Sequence, residues 1–129
     1  MFSQPVSVLL AVGAGGACGA LLRFFISQWL AVKPGVFPVA TLTVNIIGAF
    51  LMGIGYVLIT QKMVLPPITR HIFMVGFLGA LTTFSTFSLD VYQLWQAGNT
   101  STACLYIISN VVLSLVAVSA AIFLTEKLV

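Results

Sequence analysis

Four long apolar stretches fill almost the whole chain, and nothing else so restricts how it can fold. They cover about 6–32, 38–60, 69–95 and 101–125, and a helix needs about 20 apolar residues to cross a bilayer. Each is therefore read as a transmembrane helix, the first interrupted by Arg23. The connections 33–37, 61–68 and 96–100 leave no room for a soluble domain. Only 5% of the residues are charged, against about a quarter in soluble domains. The expected fold is an all-α membrane protein in which residues 1–129 form a single four-helix transmembrane domain. No signal peptide is expected, because the start lacks a basic region and its apolar stretch is long. A net charge of +3 is too small to suggest a nucleic-acid partner. Cys18 and Cys104 fall inside predicted spans, without the spacing of a metal site or a disulfide framework.

Four spans place both termini on one side with the 61–68 connection. That side carries Lys62, Arg70 and Lys127; the other carries Lys33, with Arg23 nearby. Orientation follows the Lys/Arg imbalance between sides. With so weak a bias, insertion both ways up and a single orientation set by Lys62 and Arg70 both remain open. Small residues recur in the spans, among them Gly15 and Gly19, Ala49 and Gly53, and Gly76 and Gly79. Such residues let helices approach closely in lipid. Packing within the chain accounts for most of them. A chain this small can hardly enclose a pore alone, so some are expected to face a second copy.

The third stretch carries the run Thr82-Thr83-Phe84-Ser85-Thr86-Phe87-Ser88. Hydroxyl side chains compete for the local backbone and weaken a helix. Freed backbone groups are tolerated in lipid only beside protein or a polar cavity. The run therefore predicts a helix broken mid-membrane, near 80–88, lining a path for something small and polar. A break also leaves carbonyls with spare lone pairs, and those near Gly79 and Thr82 can hold a desolvated cation.

Polar groups inside spans are expensive and mark function. Here they are Arg23, Thr41, Thr43, Asn45, the hydroxyl run, Asp90, Ser109, Asn110 and Ser114. Paired carboxylates, a His-Cys cluster, a Ser-His-Asp set and a phosphate loop are all missing, so no enzyme is expected. Neutral donors replace an anion's hydration shell without trapping it, and conduction needs binding weak enough to leave. Phe84 and Phe87 share one side of a helix. Their ring edges carry positive potential and can hold a small anion weakly; packing against lipid or protein is the plainer role. Tyr106, Asn110 and Ser114 form a stripe at helical spacing. It serves either as interhelical hydrogen bonding or as a pathway lining.

These residues resemble a known family. Gly79-Ala-Leu-Thr-Thr-Phe-Ser-Thr-Phe-Ser88 is similar to the third-helix signature of the CrcB/Fluc fluoride channels. Thr43-Val-Asn45-Ile-Ile-Gly48 resembles that family's second-helix element, and Gly15-Gly16 followed by Leu22-Arg23 resembles its first-helix pattern. The resemblance covers the whole chain. It implies an antiparallel, dual-topology homodimer in a bacterial cytoplasmic (inner) membrane, with two pores passing fluoride. It implies pore roles for Phe84 and Phe87, drawn from different subunits, and for Asn45. Thr41, Thr83, Ser85 and Thr86 join them as pore candidates. Tyr106, Asn110 and Ser114 resemble the family's polar track, Arg23 its vestibule arginine, and the Gly79 and Thr82 carbonyls a structural sodium (Na+) site. Asp90 stands where some members have Glu, and Val118 where some have a hydroxyl. Passive efflux would draw on the membrane potential, about 2.3 kcal/mol per charge per 100 mV.

Two other classes are compatible with a small four-helix chain. A proton-coupled drug exporter needs a membrane-embedded carboxylate, which the first helix lacks. A purely structural membrane subunit leaves the hydroxyl run unexplained.

Overall fold

Proline and glycine punctuate the chain where the apolar stretches end. Lys33 precedes Pro34, and a residue before proline is driven out of the helical region. Gly35 and Gly98 take positive φ, 83° and 78°, at the two turns on this side. A second turn signal, Pro66-Pro67, opens the third span with proline at the first helical position. The computed structural model describes residues 4–129. Its four rods run over Val6–Trp29, Val39–Gln61, Pro67–Gln96 and Thr100–Leu128. All are long and apolar enough to cross a membrane, and the described residues contain no strand. The first helix stops at Trp29 rather than near 32, because the Pro34-Gly35 turn claims the residues between.

Two segments are wound as π-helix, Tyr56–Gln61 at the end of the second rod and Arg70–Leu78 in the third. They flank the same connection. The Lys62 N–H accordingly reaches back five residues to the Val57 carbonyl, at 2.8 Å.

Packing divides the bundle into two close pairs. The first helix lies on the 70–81 part of the third rod, and the second helix lies on the fourth. In the first pair glycine is required by space. A Cβ at Gly15 would run into the Ile72 carbonyl, and one at Gly19 into the Phe77 carbonyl. From the other side, a Cβ at Gly76 would stand 2.6 Å from the Val12 carbonyl oxygen. With no hydrophobic force to join helices in lipid, this backbone-to-backbone approach supplies the attraction. In the second pair, a Cβ at Gly53 would stand 2.6 Å from the Val118 carbonyl oxygen.

Two apolar cores join the pairs. Val44, Leu78 and Leu81 form one; Phe87, Leu94, Ala103 and Tyr106 form the other. The polar residues of the third rod lie between them. Outer faces stay apolar and uncovered: Leu10, Phe24 and Phe25 on the first helix, and Ile108, Leu115 and Val116 on the fourth. Such surface suits an acyl-chain solvent rather than water.

Candidate functional site

Helical backbone in the third rod runs to Leu81 and resumes at Phe84. Between them Thr82 (φ −78°, ψ 155°) and Thr83 (φ −153°, ψ 123°) are extended. The hydroxyls account for this locally. The Thr82 hydroxyl donates to the Leu78 carbonyl at 2.9 Å, doubling the bond from its own N–H at 3.0 Å. Thr83 caps the next helix, its Oγ1 accepting the Thr86 N–H at 3.1 Å. Ser88 lies inside that helix and satisfies its hydroxyl on the Phe84 carbonyl. Only the first two members of the hydroxyl run leave the helical conformation.

Asn45 repairs the exposed backbone. Its Oδ1 accepts the Thr83 N–H at 2.8 Å, and its Nδ2 donates to the Thr83 carbonyl at 3.1 Å. The same Nδ2 donates to Asn110 Oδ1 at 2.9 Å, which ties together the second, third and fourth rods. An uninterrupted helix would send the Thr83 N–H to the Gly79 carbonyl. Asn45 takes that donor, and the Gly79 carbonyl is left without its usual partner.

Beside this clamp lies a groove of about 600 Å³, lined by Asn45, Gly79, Thr82, Thr83, Phe84, Phe87, Asn110, Ser114 and Val118, among others. No charged side chain among the described residues lines it. Asn110 Nδ2 and Ser114 Oγ are buried and have no hydrogen-bond partner among the described residues. A buried donor without a partner carries a desolvation cost of about 1–3 kcal/mol. The Phe84 and Phe87 rings meet at 5.4 Å with their planes tilted 60°. They differ in surroundings: Phe87 is 7% exposed and Phe84 is 77% exposed.

The remaining predicted residues are placed elsewhere. Arg23, Thr41 and Thr86 line a second cavity of about 280 Å³, and Thr83 borders both spaces. Ser85 and Tyr106 line neither cavity. The Ser85 hydroxyl shares a bond with Thr83 Oγ1 at 3.2 Å. Tyr106 is wholly buried, and its hydroxyl donates to Asp90 Oδ2 at 2.9 Å. The Thr41 hydroxyl donates to the same oxygen at 2.8 Å. Asp90, left without a role by sequence reasoning, is thus the acceptor that joins the second, third and fourth rods at this level. A signal was present: Asp90 stands three residues after Phe87 and four after Thr86, on the same helix face.

Comparison with known proteins identifies the family. Residues 10–122 match the family described as CrcB-like protein, Camphor Resistance (CrcB). A protein of Saccharophagus degradans is 56% identical over 121 residues, covering 93% of this chain and 90% of its own length. A Hahella chejuensis protein is 45% identical over 124 residues, covering 95% of this chain and 98% of its own. One from a Nitratiruptor species is 46% identical over 123 residues, covering 95% of this chain and 94% of its own. Each of these relatives is named a fluoride-specific ion channel, FluC. With the match extending through the glycine seam, the Asn45 clamp and the Asn110–Ser114 stripe, the chain belongs to the CrcB family.

Proposed function

We propose that the chain is a passive fluoride channel of the bacterial cytoplasmic membrane that lowers fluoride toxicity by letting the ion leave the cell. One observation carries this reading: Asn45, Thr82, Thr83, Asn110 and Ser114 line one groove together with Phe84 and Phe87, and no charged side chain among the described residues joins them. A small anion gains hydrogen bonds there, and no cationic side chain holds it back. Chloride, being larger and more weakly hydrated, gains less from the same donors.

The working unit is an antiparallel homodimer of single four-helix domains, inserted in both orientations and carrying two pores. The exposed Phe84 ring supports a second copy, because only its neighbour Phe87 contacts it within the aromatic row of one chain. In this assembly the third helix is broken within the membrane, and the extended Thr82 and Thr83 support that placement. Arg23, Thr41, Thr83 and Thr86 form an entrance that concentrates anions. Asn45, Phe84, Phe87, Asn110 and Ser114 line the path, with Ser85 and Tyr106 supporting them.

The Gly79 carbonyl, deprived of its helical donor, and the Thr82 carbonyl beside it are a hard-oxygen donor set suited to a monovalent cation. They would hold a sodium ion at the dimer centre, and the ion would neutralise carbonyl dipoles buried there. Asp90 gives the exporter reading a membrane-level carboxylate, but two hydroxyls already occupy its Oδ2.

Purified protein in liposomes tests the reading. Fluoride is expected to escape when a potassium ionophore shunts the potential, and chloride is expected to stay. Equal release of both halides removes the selectivity claim, and drug uptake driven by a pH gradient replaces the channel with an exporter.

A further inference from the structure

Four aromatic rings stand in a continuous row that ends outside the candidate pathway. Phe84 touches Phe87 at 5.4 Å, Phe87 touches Tyr106 at 5.3 Å, and Tyr106 touches Phe37 at 5.3 Å. The last contact is edge-to-face, with the planes at 83°. Phe37 is not on a rod. It lies in the connection before the second helix, directly ahead of Pro38, which restricts it to extended backbone. That connection is fastened from across the bundle: Asn99 Nδ2 donates to the Gly35 carbonyl at 2.8 Å.

We infer that Phe37 is a positioning residue for conduction, holding the Tyr106 ring so that its hydroxyl stays on Asp90 and its face stays behind Phe87. Tyr106 has no exposed surface and is wedged between Phe87 and Phe37. Its orientation is set from both sides. Removing the Phe37 ring opens a void on one side, and a buried ring relaxes into such a space. The Tyr106 hydroxyl then leaves Asp90, Thr41 loses its companion on Oδ2, and Phe87 loses its backing. The loop fastened through Gly35 and Asn99 thereby sets the geometry of the pathway phenylalanines without touching an ion. This inference rests on the reading of Phe84 and Phe87 as pathway residues.

The test is a double-mutant cycle on full-length protein in liposomes, with ring mobility measured separately. Phe37→Ala is expected to lower fluoride efflux about tenfold with assembly retained, and Phe37→Tyr is expected to restore most of it. Tyr106→Phe removes only the hydroxyl and is expected to cost a similar factor. The double variant is expected to lose no more than the larger single loss, because both changes break one linkage. Aromatic 13C relaxation of tyrosine-labelled protein is expected to show the Tyr106 ring flipping faster in Phe37→Ala. Multiplying losses, an unchanged flip rate, or unchanged efflux with a freed ring would each overturn the inference. A wild type that passes no fluoride while Phe37→Ala still frees the ring would sink the channel reading and leave the ring-holding contact supported.

Discussion

Along one seam of the bundle, Gly15 and Gly19 lie against the carbonyls of Ile72 and Phe77, with no room for a methyl group. Across the third rod's extended residues lies a groove of about 600 Å³, and among the described residues Asn110 Nδ2 and Ser114 Oγ, in two of its lining side chains, are buried without a partner. The first seam joins backbone to backbone and tolerates nothing added. The second is a space lined by side chains of the second, third and fourth rods, with two buried donors unpaired among the described residues. The contrast separates two demands on one small chain. Helices in lipid need close contact to associate at all, whereas a path for an ion needs space and donors that the protein has not already used. In the proposed channel the 67–96 rod would meet both, through its seam with the first helix and through the groove that Gly79, Thr82, Thr83, Phe84 and Phe87 line.

The largest effect expected from this contrast lies in the tight seam. Gly19→Leu drives a side chain into the Phe77 backbone and is expected to abolish recovery of folded, monodisperse protein on size exclusion. Normal recovery would show that the seam yields. Next comes Asn45→Asp, which keeps the shape but cannot donate to the Thr83 carbonyl or to Asn110 Oδ1. Stranding those acceptors costs about 1–3 kcal/mol of stability, and fluoride efflux is expected to fall about a hundredfold, two tenfold steps of barrier. Efflux at the wild-type rate would detach the clamp from the pathway.

Phe84→Ile should do something different. Its ring is 77% exposed in a single chain, so stability of the chain is expected to stay put while efflux drops about tenfold. A stability loss matching the flux loss would make Phe84 a packing residue. Exchanging all sodium for a large organic cation is expected to weaken dimer assembly in detergent severalfold, and indifference counts against the Gly79–Thr82 cation. The smallest effect belongs to Gly13, where an added Cβ meets nothing within 4 Å. Gly13→Ala is expected to leave efflux unchanged and to raise thermal stability by up to about 1 kcal/mol through helix propensity. A clear loss there would extend the tight seam beyond Gly15.

Much of this molecule is written in its apolar lengths and punctuation. The helix ends stem from Pro34, Pro38 and Pro66-Pro67, and the site of the extended residues stems from hydroxyl density. What one-dimensional reading blurred was extent and partnership. The run from Thr82 to Ser88 is uniformly polar by composition, yet only Thr82 and Thr83 leave the helix, because Thr83 can cap the helix that begins at Phe84 and Ser88 can bond back to Phe84. Tyr106, Asn110 and Ser114 share helical spacing, yet Tyr106 turns to Asp90 while the other two reach the groove.

The sequence by itself determined four bilayer-length helices and the close approach of glycine-bearing faces, since these depend on residue type and periodicity along one stretch of chain. Only the tertiary structure decided which polar groups spend their hydrogen bonds on one another. Asn45 turned out to be fully engaged with Thr83 and Asn110, and Asp90 to gather Thr41 and Tyr106. Among the described residues, Asn110 Nδ2 and Ser114 Oγ were left without a partner. A donor's availability is a property of what lies within about 3 Å of it in space, and that distance is set by the packing of three rods far apart in sequence.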